Sequence, residues 1–161
     1  MMRSRVVRRD DNFSPRILIL ALQREGNRIL SDALRPYGVN PAQAEVIELL
    51  ALHGSLSIKQ IGSMLICEGG SPSRLIQTMQ SRGMVDVRED MSDRRVRNIS
   101  LSARTAKLVP VIRSIFAELD RLIAERIDRV NERRLQETLY AILQGSEIID
   151  RLHNRSQNYR S

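Results

Sequence analysis

The spacing of apolar residues changes period twice along the chain, and those changes divide it. Behind Ser14-Pro15, Ile17, Leu18, Leu22, Ile29, Ala33 and Leu34 recur at roughly helical spacing. Ser14 can cap this helix, and Pro15 suits its first position, where no N–H is needed. Arg35-Pro36 should end it, because the residue before a proline disfavours helical backbone. "VNPAQAEVIELLALHG" repeats the signal: Asn40 caps, Pro41 opens, Ala44, Ile47, Leu50 and Ala51 form one face, and Gly54 closes. "SLSIKQIGSMLICEGG" predicts a shorter helix capped by Ser57, with Ile58, Ile61 and Leu65 inward and Gly69-Gly70 breaking it. Ser71 and Pro72 then start a further helix whose buried side is Leu75, Ile76 and Met79. Gly83 stops it in the left-handed conformation that glycine adopts at low cost.

The period then falls to two. "MVDVRED" and "VRNISLS" alternate apolar and polar residues around the turn-rich "DMSDRR", which predicts a hairpin with a long tip. A lone hairpin is marginal, so it must pack on the preceding helices. From Ser102 the helical period returns. Val109, Ile112, Ile115, Phe116, Leu119, Leu122 and Ile123 form a stripe to about Val130, with Pro110 kinking it or marking its true start. A last helix is expected from about Glu132 to Arg151. The expected organisation is a basic arm over 1–13, an N-terminal dimerisation helix over 14–38, a winged helix–turn–helix over 39–101, C-terminal dimerisation helices over 102–155 and a tail over 156–161. The fold class is mostly α with a small β-hairpin.

Two short helices followed by a hairpin describe a winged helix, whose second short helix enters the DNA major groove, about 12 Å wide. Residues 71–82 carry what that role needs. Opposite the buried side stand Ser71, Ser73, Arg74, Gln77, Thr78 and Ser81. Arg74 can fork onto guanine, Gln77 can pair with adenine, and the helix N-terminus attracts phosphate. An ordinary amphipathic helix with a solvated face has the same pattern. The hairpin tip narrows the choice: "SDRRVR" sets Arg94, Arg95 and Arg97 at or near an exposed turn, where arginines can enter a minor groove. Asp93 can orient a neighbouring guanidinium, or simply shape the turn.

Composition agrees with a polyanion binder. The net charge is +7, and of 26 Lys and Arg only Lys59 and Lys107 are lysines. A solvated surface in an arginine-rich proteome would give the same count. Aromatics at 3% and no Trp disfavour single-strand modules, which stack bases on aromatic platforms. The single cysteine, Cys67, allows no intrachain disulfide, which fits a reducing compartment. It precedes the expected recognition helix, where a thiolate can be reactive, but most lone cysteines are packing residues. His53 and His153 have no metal-ligand spacing, and no cofactor or catalytic signature is present. The basic start has no long apolar core behind it and no apolar run approaches a bilayer span, so the expectation is a cytoplasmic protein without membrane contact.

The run from Asn40 to about Ser102 resembles the MarR family of bacterial transcription regulators. The resemblance rests on "SIKQIGSML" as supporting helix, "SRLIQTMQSRGMV" as recognition helix with its Arg-Gly-apolar exit, and "REDMSDRRVRNISLS" as wing. The family's wing pattern, an Asp, one residue, then an Arg that reaches the minor groove, falls on Asp93, Arg94 and Arg95. Where the family often has Gly after the wing, this chain has Thr105. The resemblance implies a homodimer on near-palindromic double-stranded DNA, acting as a repressor, with a small-molecule effector between dimer helices and winged module. The candidate DNA contacts are Ser57, Lys59, Ser71, Ser73, Arg74, Gln77, Thr78, Asp93, Arg94 and Arg95. Unpaired apolar faces on the first and last helices call for a dimer independently. The alternative reading is a winged helix that binds protein without binding an operator.

Overall fold

A computed structural model describes residues 13–67, 70–89, 97–127 and 129–158. Asp93, Arg94 and Arg95, and residues 1–12 of the expected arm over 1–13, lie outside them. The first helix, α1, spans Pro15–Leu34 and passes into a 3-10 turn over Arg35–Tyr37. Pro15 opens α1 as expected, but the Ser14 side chain makes no capping bond. The turn ends on Gly38 at φ +66°, and Val39 N–H returns to Leu34 O.

Helix α2, Pro41–His53, begins with a reciprocal cap. Asn40 Oδ1 accepts from Gln43 N–H at 2.9 Å, and Gln43 Oε1 accepts from Asn40 N–H at 3.1 Å. Sequence spacing assigned α2 one apolar face, but residues 42–47, 49 and 50 are all buried. The reason is its place: α1, α4, α6 and the sheet all pack around it. The fully buried side chains Leu34, Val46, Ile47, Leu50, Ile61, Met79, Ile99 and Ile112 come from α1, α2, α3, α4, β3 and α6, where α3 is Ile58–Met64, α4 Pro72–Ser81, β3 Arg97–Leu101 and α6 Val109–Ala124.

The expected hairpin is present as β2, Val85–Glu89, paired antiparallel with β3. A further strand, β1, Ser55–Ser57, pairs with the other edge of β3, giving a three-stranded sheet in the order β1-β3-β2. Only Leu56 of β1 is buried, so the strand has no alternation to read. Helix α3 is shorter than expected. It stops at Met64, not at the glycine pair, because the N–H groups of Ile66 and Cys67 bond to the Glu45 carboxylate at 2.8 and 2.7 Å. Those donors are thereby lost to a continued helix.

After the wing, Ser102 caps the short α5, Ala103–Ala106. Thr105 needs no left-handed backbone there: it is helical and buried, and its N–H and Oγ1 both bond to Ser102 Oγ. Pro110 marks the start of α6 rather than a kink. The stripe expected to run to Val130 ends at Ala124, and the final long helix is two. Helix α7 is Arg129–Leu143, and α8 is Glu147–Asn158, continuing past the point where a tail was expected. Gly145 at φ +79° turns the chain between them, so α8 folds back onto α3. Among the described residues, no helix is long and apolar enough to cross a membrane.

Candidate nucleic-acid interface

Helix α4 turns one side fully inward. Leu75, Ile76 and Met79 are buried, while Ser71, Ser73, Arg74, Gln77 and Thr78 are exposed. Positions 73, 74, 77 and 78 lie one turn apart and share the outer face. Thr78 Oγ1 donates to Arg74 O at 3.0 Å, so that hydroxyl is tied back to the helix while the Arg74 and Gln77 side chains project freely from its exposed face. Pro72 opens the helix, and Ser71 holds the cap position without a side-chain capping bond.

Three contacts fix the pose of α4. At its start, Gly62 of α3 lies against the Pro72 ring. At its end, Met84 N–H bonds to Met79 O at 2.8 Å and Gly83 N–H to Gln80 O at 2.9 Å, with Gly83 at φ +65°. This is a Schellman ending, and it aims the chain directly into β2. Beside it, Arg82 Nη2 donates to Gly38 O at 2.7 Å and Nη1 to Gln43 Oε1 at 3.4 Å. Arg82 therefore ties the exit of α4 to the start of α2.

The supporting helix α3 carries the remaining candidates in its first turn. Ser57 is its cap: its Oγ accepts from Gln60 N–H at 3.2 Å and donates to Gln60 Oε1 at 2.9 Å. Its hydroxyl hydrogen is thus engaged inside the protein. Lys59 is exposed. Asp93, Arg94 and Arg95 lie outside the described residues. The strands that lead to them place Arg88 opposite Asn98 and Glu89 opposite Arg97, so Arg97 is the first residue of β3.

The setting of Cys67 disfavours its thiolate. Burial pushes the thiol up to about 11, and the adjacent Glu45 carboxylate adds to the shift. A thiol held protonated is a poor nucleophile. Among the described residues no group of His, Cys, Asp and Glu could hold a metal ion.

Sequence reading missed Gly62, Gln43, Glu45 and Arg82 as parts of this frame. The Asn-x-x-Gln spacing at 40–43 was a readable capping signal. Glu45, inside the apolar run Ala44 to Leu50, was a readable oddity. Gly62 and Arg82 act through residues distant in the chain and left no local signal.

Residues 37–96 match the sequence profile of the MarR family. Among curated proteins, the chain is 25% identical over 112 residues to the HTH-type transcriptional regulator MhqR of Bacillus subtilis (strain 168), an alignment covering 67% of this chain and 75% of that protein. Among solved structures, it is similar to S. aureus MepR in complex with DNA, with a TM-score of 0.76 at 20% identity over 81% of this chain and 97% of that one. A mutant MarR from E. coli complexed with operator DNA gives a TM-score of 0.70 at 18% identity over 79% and 91%. At these identities the structural likeness is one of fold.

Proposed function

Because residues 37–96 match the sequence profile of the MarR family, we propose that the chain is a sequence-specific regulator of transcription that binds double-stranded DNA, as a homodimeric repressor on a near-palindromic operator in the cytoplasm. The observation that carries this reading is the exposed face of α4. Arg74 and Gln77, the side chains suited to guanine and adenine, stand on a short helix held at both ends by α3, the sheet and Arg82. The fold shared with MepR and MarR, each solved on DNA, supports it. Ser71 and Ser73 at the start of α4 face phosphate, and Lys59 adds charge from α3. Arg95 enters the minor groove, as the family resemblance implies, with Arg94 as its companion and Asp93 orienting a neighbouring guanidinium.

The dimer is supported by apolar surface left uncovered. Phe13, Leu18 and Leu22 beside or on α1, and Leu139, Tyr140 and Ile142 on α7, are exposed, Leu22 at 68% and Ile142 at 57%. Exposed apolar residues grouped along one helix mark an association surface. A small ligand that releases DNA would sit between α8 and the winged module. A cleft of about 370 Å³ there is lined by His53, Ser55, Leu56, Gln60, Met64 and Asn154, and its size suits a small molecule. His53 Nε2 is buried with no partner among the described residues, and a hydrogen-bonding ligand would satisfy it.

Selection from a library of random duplexes tests the reading. Enrichment of a near-palindrome with half-sites about one helical turn apart is the expected result. Arg74→Ala should then lower preference for the enriched sequence by about 1–3 kcal/mol, with less effect on random DNA. Recovery of no sequence, from a folded protein that captures other proteins, would favour a protein-binding winged helix instead.

A further inference from the structure

Helix α8 grips the turn that leads into α4. Three of its side chains, spaced to share one face, reach across. Arg151 Nη1 donates to Leu65 O at 2.8 Å, and Asn154 Nδ2 donates to Ser63 O at 3.1 Å. Arg155 Nη1 donates to Glu45 Oε1. Ser63 and Leu65 form the C-terminal end of α3, where a helix leaves carbonyls without internal partners and where positive charge is favoured. Glu45 is 5% exposed. Its two carboxylate oxygens take the N–H groups of Ile66 and Cys67, as described above.

A buried carboxylate needs a counter-charge, and the half-buried Arg155 supplies it. Residues 63–67 are therefore held from two sides, by Glu45 of α2 and by α8. Helical bonding does not hold Ile66 and Cys67, because α3 has ended at Met64 and its last bond is Leu65 N–H to Ile61 O. The segment they start delivers the chain to Pro72 and α4.

We propose that Glu45 and Arg155 are positioning residues for DNA reading: α8 braces the turn of the helix–turn–helix, so that α4 presents its outer face at one angle. This rests on the reading of α4 as the recognition helix. Base readout needs fixed geometry, whereas attraction to phosphate does not. Loosening the brace therefore lowers discrimination between sequences more than it lowers affinity for DNA in general. It also links the C-terminal helices to the segment that precedes the DNA-reading helix.

The test uses the full-length protein with Arg155→Gln and Arg155→Lys. Amide hydrogen exchange at Ile66 and Cys67 reads the brace without DNA. Affinities for the duplex selected by the wild-type protein, and for a random duplex of equal length, read the pose of α4. In Arg155→Gln the two amides should exchange about tenfold faster than in wild type, with α2 and α6 still protected. Its ratio of selected to random affinity should fall about tenfold. Arg155→Lys, which keeps the charge, should recover part of both. Arg151→Gln, which leaves Glu45 paired, should move both in the same direction by less. Unchanged exchange in a folded Arg155→Gln protein would overturn the brace. Faster exchange with an unchanged affinity ratio would overturn its role in positioning. If the wild-type protein enriches no duplex, the reading of α4 fails by itself, and with it the positioning role, while exchange still decides whether the brace exists.

Discussion

A Cβ placed on Gly62 would stand 3.2 Å from Pro72 Cγ and 3.7 Å from its Cβ. The supporting helix and the start of α4 thus meet with no side chain between them. A Cβ at position 62 requires the Pro72 ring to give by a few tenths of an ångström, and the two methyl groups of Val add to that demand. Gly62→Val should destabilise the fold by about 1–3 kcal/mol through overpacking. Urea unfolding gives the value, and a variant as stable as wild type would contradict the close crossing.

Gly83 poses the opposite case. A Cβ there meets nothing within 4 Å, yet φ is +65°. The penalty of Gly83→Ala should therefore be one of backbone only, about 1–2 kcal/mol. Gly83→Asn should lose less, because Asn tolerates this conformation better. Thermal unfolding of the pair is the check, and equal losses would show that side-chain contacts rather than φ set the cost.

Cys67 offers a pH-dependent prediction. Its thiol is pushed up to about 11, first by burial and then by Glu45. The folded protein should therefore keep it protonated through neutral pH and start to form thiolate only above about pH 10. Iodoacetamide should modify it at pH 8 roughly a hundredfold more slowly than in the urea-unfolded chain, since only the thiolate reacts. Comparable rates in the two states would mean that the thiol is not shielded.

The apolar surface of α7 should matter to assembly and little to the monomer. Leu139 is 38% exposed, so Leu139→Glu removes little from the core of one chain. In the proposed dimer it would bury a charge without a partner. Sedimentation should show this variant as a folded monomer at concentrations where wild type is a dimer. A wild-type protein that sediments as a monomer at all concentrations would exclude the dimer.

Much of this fold was legible because short signals lie next to what they control. Asn40-Pro41, Ser71-Pro72 and Gly83 each set an element boundary through their own backbone preferences, and the structure keeps them. Pro110 was readable to the residue, once its two meanings are separated by the start of α6. The misses have another origin. Strand β1 is three residues long and exists because β3 offers an edge, so no periodicity could announce it. Helix α3 ends early because a carboxylate from α2 takes its next donors, an event 21 residues away in sequence. Gly145 was visible, but an isolated glycine inside an apolar stripe is often tolerated, and only its left-handed φ reveals the break. For the candidate site, the outward residues of α4 followed from the inward ones. Arg155, 110 residues from Glu45, could be found only in three dimensions.

Binding of duplex DNA by this surface underlies the proposed function. It is tested most directly by measuring affinity for a random duplex by fluorescence anisotropy as salt rises from about 50 to 200 mM. With about four cationic side chains of the surface neutralising phosphates, affinity should fall by about a hundredfold, because each neutralised phosphate releases counterions. An affinity that stays flat across that range would contradict the account.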